Sequence, residues 1–295
     1  MKHIAIWMLS LTAAVTTGTA VAGPINWALV DQAIGRKGTD QPGGVHKYSF
    51  PRSDLKVTVD GVPIKPGLAL GGWVAFEPMG SRAMVMGDLV LTETEISPVM
   101  QRLIAGGVQI TALHNHLLRT SVPVYYMHVG GLGNPVELAR ALHDALSSSA
   151  TPLGPAPAAA PQAVSLDTTA LDRVIGSKGK ANGGVYQYSM PRAETIKDSG
   201  MKVPPSMGTA ISINFEPTSG GKAAITGDFV LLGREVNPVL KALRENGIEV
   251  TTLHSHMIED SPHLFFMHFG ANDDATRLAQ GLRAALNHVH LKATM

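Results

Sequence analysis

Hydrophobic positions along this chain follow two spacings, one typical of strands and one typical of helices. Residues 72–77 and 83–91 alternate around a short polar turn, which predicts a β-hairpin. Residues 135–146 place apolar residues at helical spacing, and Pro98 with the later Gly106 predicts a second helix between them. The predicted order is helix, three strands, helix, two strands, helix. This order predicts an α+β fold, a mostly antiparallel sheet with helices packed on one face.

The whole pattern occurs twice, about 140 residues apart. A hairpin recurs at 210–216 and 223–232, and the last helix recurs at 275–286. The repeating unit has the length of a domain, so the sequence predicts a tandem duplication and not a solenoid. The predicted boundaries are a first repeat at 24–147, a Pro/Ala/Ser-rich linker at 148–163 and a second repeat at 164–290.

The first residues read as a targeting signal. Lys2 precedes an apolar run, and small residues lead to Ala22, which predicts a signal peptide at 1–22 that is cleaved after Ala22. We therefore expect a periplasmic or secreted protein. No other stretch is long and apolar enough for a membrane span, so no span is expected after cleavage.

Composition excludes several kinds of chemistry. The chain has no Cys, which excludes disulfides, thiolate ligands and a lipid anchor on an N-terminal Cys. The net charge is +1, with no basic stripe of the kind that a nucleic-acid partner requires. The unusual feature is a count of 12 His.

Six of those histidines belong to a motif that occurs once in each repeat, with three histidines in each copy. A His-x-His pair on a predicted strand places two imidazoles on one face, and a third His follows twelve residues later on the next strand. Such a set can chelate a metal ion. The alternative is that these rings simply pack or hydrogen-bond where the domains meet. The candidate metal ligands are His114, His116, His128, His254, His256 and His268.

Carboxylates near the motif extend the hypothesis. Glu77 and Glu216 are candidates for a fourth ligand or a general base that holds metal-bound water, or else turn residues that cap backbone N–H groups. Asp88 and Asp228 are candidates for a metal ligand or for orienting a His from outside the ligand shell, or else buried residues that close a bulge. Histidine and carboxylate ligands favour zinc, while Mn, Fe, Ni and Cu stay compatible.

Two further expectations concern the surroundings of this site. Arg52 and Arg192 each follow a Pro, and they are candidates for binding a substrate anion or for structural ion pairs. If the histidines face one side of the sheet, strand alternation places Phe76, Leu113 and Met127 on the other side, under the helices.

Several of these segments resemble a known bacterial family. The residues are Gly227–Leu231, Glu235–Val239, Leu253–His256 and Phe266–Phe269. They are similar to a family of exported proteins named after the mycobacterial lipoproteins LppY and LpqO and described mainly as a domain of unknown function. The resemblance covers both halves and implies export, without implying an activity.

Three functions fit these observations. The first is an exported protein that binds divalent metal at one His-rich site in each repeat. The second is a metal-dependent, zinc-type hydrolase that uses metal-bound water. The third is a non-catalytic envelope protein whose histidines line a pocket for an unknown small-molecule or envelope ligand.

Overall fold

The computed structural model describes residues 24–155 and 162–293. The predicted signal peptide and the centre of the predicted linker lie outside these residues. No helix within the described ranges is long and apolar enough to cross a membrane.

Each repeat is an antiparallel sheet with helices on one face, as the sequence predicted. In the first repeat, the elements are α1 (Trp27–Ile34), β1 (Thr39–Asp40), β2 (His46–Pro51), β3 (Thr58–Val59), β4 (Val62–Pro63), α2 (Pro66–Ala69), β5 (Gly71–Met79), β6 (Arg82–Thr92), α3 (Glu93–Ala105), β7 (Gln109–His114), β8 (Val124–Gly133) and α4 (Pro135–Leu146). The main sheet has the order β1-β2-β5-β6-β8-β7.

The second repeat reproduces this arrangement. Its elements are α5 (Thr168–Ile175), β9 (Lys180–Asn182), β10 (Val185–Pro191), β11 (Lys197–Asp198), β12 (Met201–Lys202), β13 (Ala210–Pro217), β14 (Lys222–Leu232), α6 (Gly233–Glu245), β15 (Glu249–His254), β16 (Asp260–Ser261), β17 (Leu264–Asp274) and α7 (Ala275–Leu286), with short 3₁₀ turns at Pro205–Met207 and Ser219–Gly221. The main sheet has the equivalent order β9-β10-β13-β14-β17-β15.

Helices α3 and α6 begin earlier than predicted. Pro98 was expected at the first helical position, but α3 begins at Glu93 and contains Pro98 in its interior. The start is fixed by Glu95, whose carboxylate accepts the backbone N–H of Thr92 at 2.8 Å, one half of a capping box. Helix α6 likewise begins at Gly233.

Each repeat buries its own core between the sheet and the helices. In the first repeat, Phe76 and Met127 are fully buried on that face, as predicted. Leu113 is not, because β7 is the edge strand and leaves this side chain 42% exposed. The prediction that Leu113 packs under the helices is therefore wrong.

The sheet faces without helices lie against each other between the repeats. The backbone N–H of Lys65 donates to Glu216 at 2.9 Å, and the Thr251 hydroxyl donates to the carbonyl of His116 at 2.7 Å. Gln187 donates to the Gly67 carbonyl at 2.9 Å. The region between the two sheets is thus a protein interior that both repeats line.

Candidate metal centre

All six predicted histidines come together between the repeats, and we call them the His cluster. Each ring lies close to a ring of the other repeat. The distances between ring centroids are 3.5 Å for His114 and His254, 3.6 Å for His116 and His268, and 3.7 Å for His128 and His256. The prediction that the two sets form separate clusters is corrected accordingly, because the structure joins both sets in one cluster.

Each repeat still contributes its own set of three ligand groups. One is the Asp88 triad, formed by Asp88, His116 and His128, and the other is the Asp228 triad, formed by Asp228, His256 and His268. Within each triad, the candidate ligand atoms lie within 4.8 Å of one another.

Further groups of the same closeness cross between the repeats. His114 groups with His116 and His268, and also with His128, His254 and His256. His114 and His254 thus lie between the two triads.

The strand register explains why the triads form. His128 in β8 is directly paired with Asp88 in β6 on one side and with Ala112 in β7 on the other. Directly paired residues project to the same face, so Asp88 and His128 point into the interface together. His268 and Asp228 are paired in the same way in the second repeat.

His116 and His256 reach the cluster from outside the strands. The sequence placed them at the ends of strands, but β7 ends at His114 and β15 ends at His254. Each ring then stacks on an aromatic residue of the neighbouring strand, His116 on Tyr126 with centroids 3.4 Å apart and His256 on Phe266 at 3.5 Å. This backing role was not predicted, although Tyr126 shares a strand face with His128.

Burial keeps the imidazoles of the cluster neutral. It lowers the pKa of His114 to about 4 and that of His254 to about 3, and it lowers the pKa values of the other four rings well below the usual value. A neutral imidazole has a free lone pair, which is the form that binds metal.

The two aspartates share this environment. Burial raises the pKa of Asp88 to about 8, although the nearby Lys47 acts to lower it. Burial also raises the pKa of Asp228 well above its ordinary value, and the neighbouring Asp88 adds to this effect. A cation between these groups would offset the cost of ionising both carboxyl groups.

Each histidine of the cluster and both aspartates have at least one polar atom without a protein partner in the described part of the chain. Among the described residues, Nε2 of every cluster histidine and Oδ1 of Asp88 and Asp228 are buried without a hydrogen bond. Buried polar atoms in folded proteins are nearly always bonded, and a group of exceptions requires an explanation. Nitrogen and carboxylate oxygen atoms gathered in this way fit a divalent ion such as zinc.

The two candidate glutamates lie away from this cluster. Glu77 is four residues along β5 from Trp73, the residue paired with Asp88, which corresponds to about 13 Å. Glu216 has the equivalent position in β13 and accepts a backbone N–H from Lys65. The structure therefore does not bring either one together with the histidines, and Glu216 has the backbone-capping role that was the alternative.

The two arginines are structural. Arg52 is 1% exposed and donates to both carboxylate oxygens of Glu95, at 2.7 and 3.1 Å, and to the Val90 carbonyl at 2.8 Å. Its remaining donors bond Asp54. Arg192 makes the equivalent bonds to Glu235 and Val230. The anion-binding candidates are thus corrected to structural ion pairs.

A small pocket lies beside the cluster. A pocket of about 10 Å³ borders His128 and His256, with Trp73 and Phe266 in its wall. This volume holds roughly one water-sized species.

Comparison with known families agrees with the duplication. The model of the family described as a Domain of Unknown Function (DUF1259) matches residues 28–148 and again residues 169–288. No curated protein matches the chain. The two matched segments coincide with the two repeats.

Solved structures give only distant likenesses. The trimeric bacterial microcompartment shell protein PduB is 14% identical, with a TM-score of 0.21, over 85% of this chain and 89% of that one. EtuB from Clostridium kluyveri is 6% identical, with a TM-score of 0.20, over 85% of this chain and 88% of that one. Scores this low carry no argument about fold or function.

Proposed function

The chain belongs to the DUF1259 family, whose description names no function, and we propose that it is an exported protein that binds divalent metal between its two repeats. Export rests on the signal-like sequence at residues 1–22. The relation to the LppY and LpqO family rests on the sequence resemblance and is part of the same proposal.

One observation carries the metal-binding proposal. Six neutral imidazoles and two carboxyl groups are gathered in one buried place, and their inward nitrogen and oxygen atoms have no protein partner within the described ranges. Packing alone is a poor explanation, since each unpaired buried polar group costs about 1–3 kcal/mol. Binding an ion would satisfy many of these atoms at once.

The ligand arrangement favours two ions. Each triad supplies two nitrogen atoms and one carboxylate oxygen. A fourth ligand would come from His114 or His254, whose ring centroids lie 5.0 Å from those of His128 and His268, respectively. Four ligands of this type suit zinc in a closed tetrahedral shell. A closed shell is typical of structural or storage sites.

The hydrolase alternative is less favoured by the same geometry. Neither Glu77 nor Glu216 lies beside the cluster, and the adjacent pocket of about 10 Å³ is the size of a water molecule, smaller than an organic substrate. A purely ligand-binding role for the histidines meets the same obstacle. Metal binding without turnover is therefore the function that the site supports best.

Elemental analysis of the purified, zinc-loaded protein tests the proposal. We expect roughly two equivalents of zinc, most of which is lost in the double variant His114→Ala/His254→Ala. The exposed His288 provides a matched control, because His288→Ala should retain both equivalents. A wild-type protein that stays free of zinc, with the double variant folded as before, would reject the proposal.

A further inference from the structure

The two triads carry identical ligands but have different neighbours. Trp73 is paired with Asp88 in the first repeat, whereas Ser212 is paired with Asp228 in the second. Lys47 in β2 has Gln187 as its equivalent in β10. The second repeat therefore has a neutral amide at the position where the first repeat has a positive charge.

The Lys47 ammonium group is held in place by two contacts. Its Nζ lies 3.9 Å from the centroid of the Trp73 ring and donates to the Ser206 carbonyl at 3.0 Å. It also interacts electrostatically with Asp88. Trp73 lies directly across the strand pair from Asp88, so the positive charge is positioned beside the Asp88 triad.

The equivalent place in the second repeat is neutral. The Gln187 side chain donates to the Gly67 carbonyl at 2.9 Å. Within the described residues, the ionisable group that raises the pKa of the Asp228 carboxyl group is Asp88, another acid. A cation that approaches Asp228 thus meets two acidic groups, while one that approaches Asp88 also meets Lys47.

We infer that the two triads bind metal unequally, and that the Asp228 triad fills first because Lys47 repels a divalent cation at the Asp88 triad. This inference rests on the proposed metal binding and adds an order of filling. Lys47 is not itself a metal ligand. It determines which triad is preferred through its positive charge. The repulsion between like charges in a buried region is only weakly screened by water or salt.

Calorimetric titration of the metal-free full chain with zinc measures both affinities. In the wild type we expect a tighter and a weaker class of site. Asp228→Asn should remove the tighter class, and Asp88→Asn should remove the weaker class. The substitution Lys47→Gln should strengthen the weaker class by about tenfold, a factor that corresponds to about 1.4 kcal/mol.

The duplication supplies matched controls. Lys47→Gln introduces the residue that the second repeat already carries, and the circular dichroism spectrum of the metal-free variant checks that it stays folded. The reciprocal change Gln187→Lys should weaken the tighter class. Unchanged zinc affinities in Lys47→Gln, or loss of the tighter class in Asp88→Asn, would overturn the inference while leaving metal binding intact. A wild type that binds no zinc at all would instead reject the proposed function.

Discussion

Replacement of Arg52 by Met distinguishes a structural role of this residue from a binding role. Arg52 is buried, and its guanidinium group joins three elements, because it bonds Glu95 in α3, Val90 in β6 and Asp54 in the loop after β2. The same Glu95 also accepts the backbone N–H groups of Thr92 and Ala150. Met keeps most of the side-chain volume but donates no hydrogen bond.

The expected loss of unfolding free energy follows from the buried groups that Arg52→Met leaves without a partner. The Glu95 carboxylate would keep two backbone N–H bonds but lose its countercharge, and the Val90 carbonyl would lose a partner. Breaking a buried ion pair on one side costs about 3–5 kcal/mol. The bonds to the more exposed Asp54 add little. We therefore expect the free energy of unfolding to fall by about 3–5 kcal/mol.

Urea denaturation of the metal-free protein, followed by circular dichroism, measures this loss. Arg140, exposed on α4, gives the matched control, and Arg140→Met should change the free energy of unfolding by less than about 0.5 kcal/mol. The double variant Arg52→Met/Glu95→Gln should recover part of the loss, since the unpaired charge is gone. A loss below about 1 kcal/mol for Arg52→Met would refute this reasoning.

Four further outcomes are expected. Excess zinc at about 100 times its dissociation constant should stabilise the protein by about 2.7 kcal/mol for each site, measured by thermal melting with and without a chelator. Hydrogen bonds from Arg52 and from backbone N–H groups outweigh burial and lower the pKa of Glu95. The difference in unfolding free energy between wild type and Glu95→Gln should therefore be complete above pH about 4.5 and shrink as the pH falls below it. Urea titrations at each pH measure this difference. Gly227→Ala should destabilise the protein by about 1–3 kcal/mol in the same assay, because the added Cβ would overlap the Ser212 carbonyl oxygen. An unchanged free energy of unfolding would contradict this close approach. Tyr126→Phe, which copies the second repeat, should leave the zinc count by elemental analysis unchanged, and a lost equivalent would show that the hydroxyl matters.

The fold was largely predictable because its signals are local. Alternation predicted both hairpins, and apolar residues at helical spacing predicted α4 and α7 with the bounds that the structure shows. The starts of α3 and α6 were misplaced because Pro usually marks the first helical turn. The signal at Thr92 and Glu95 fixes the start of α3, and it competes with the Pro98 signal.

The site was predictable only within each repeat. Strand alternation and pairing place Asp88 beside His128, and both residues were candidates from the sequence. The contact between His114 and His254 depends on how two sheets pack, which no local pattern specifies. A bulge between Ile110 and Ala112 also shifts the register just before His114, so simple alternation could not position the cluster.

Anomalous diffraction at the zinc absorption edge, from crystals of the zinc-loaded protein, tests the central claim most directly. We expect anomalous peaks between the two sheets, within bonding distance of histidines from both repeats. Peaks confined to surface residues, with the six imidazoles bonded only to one another or to water, would contradict the account.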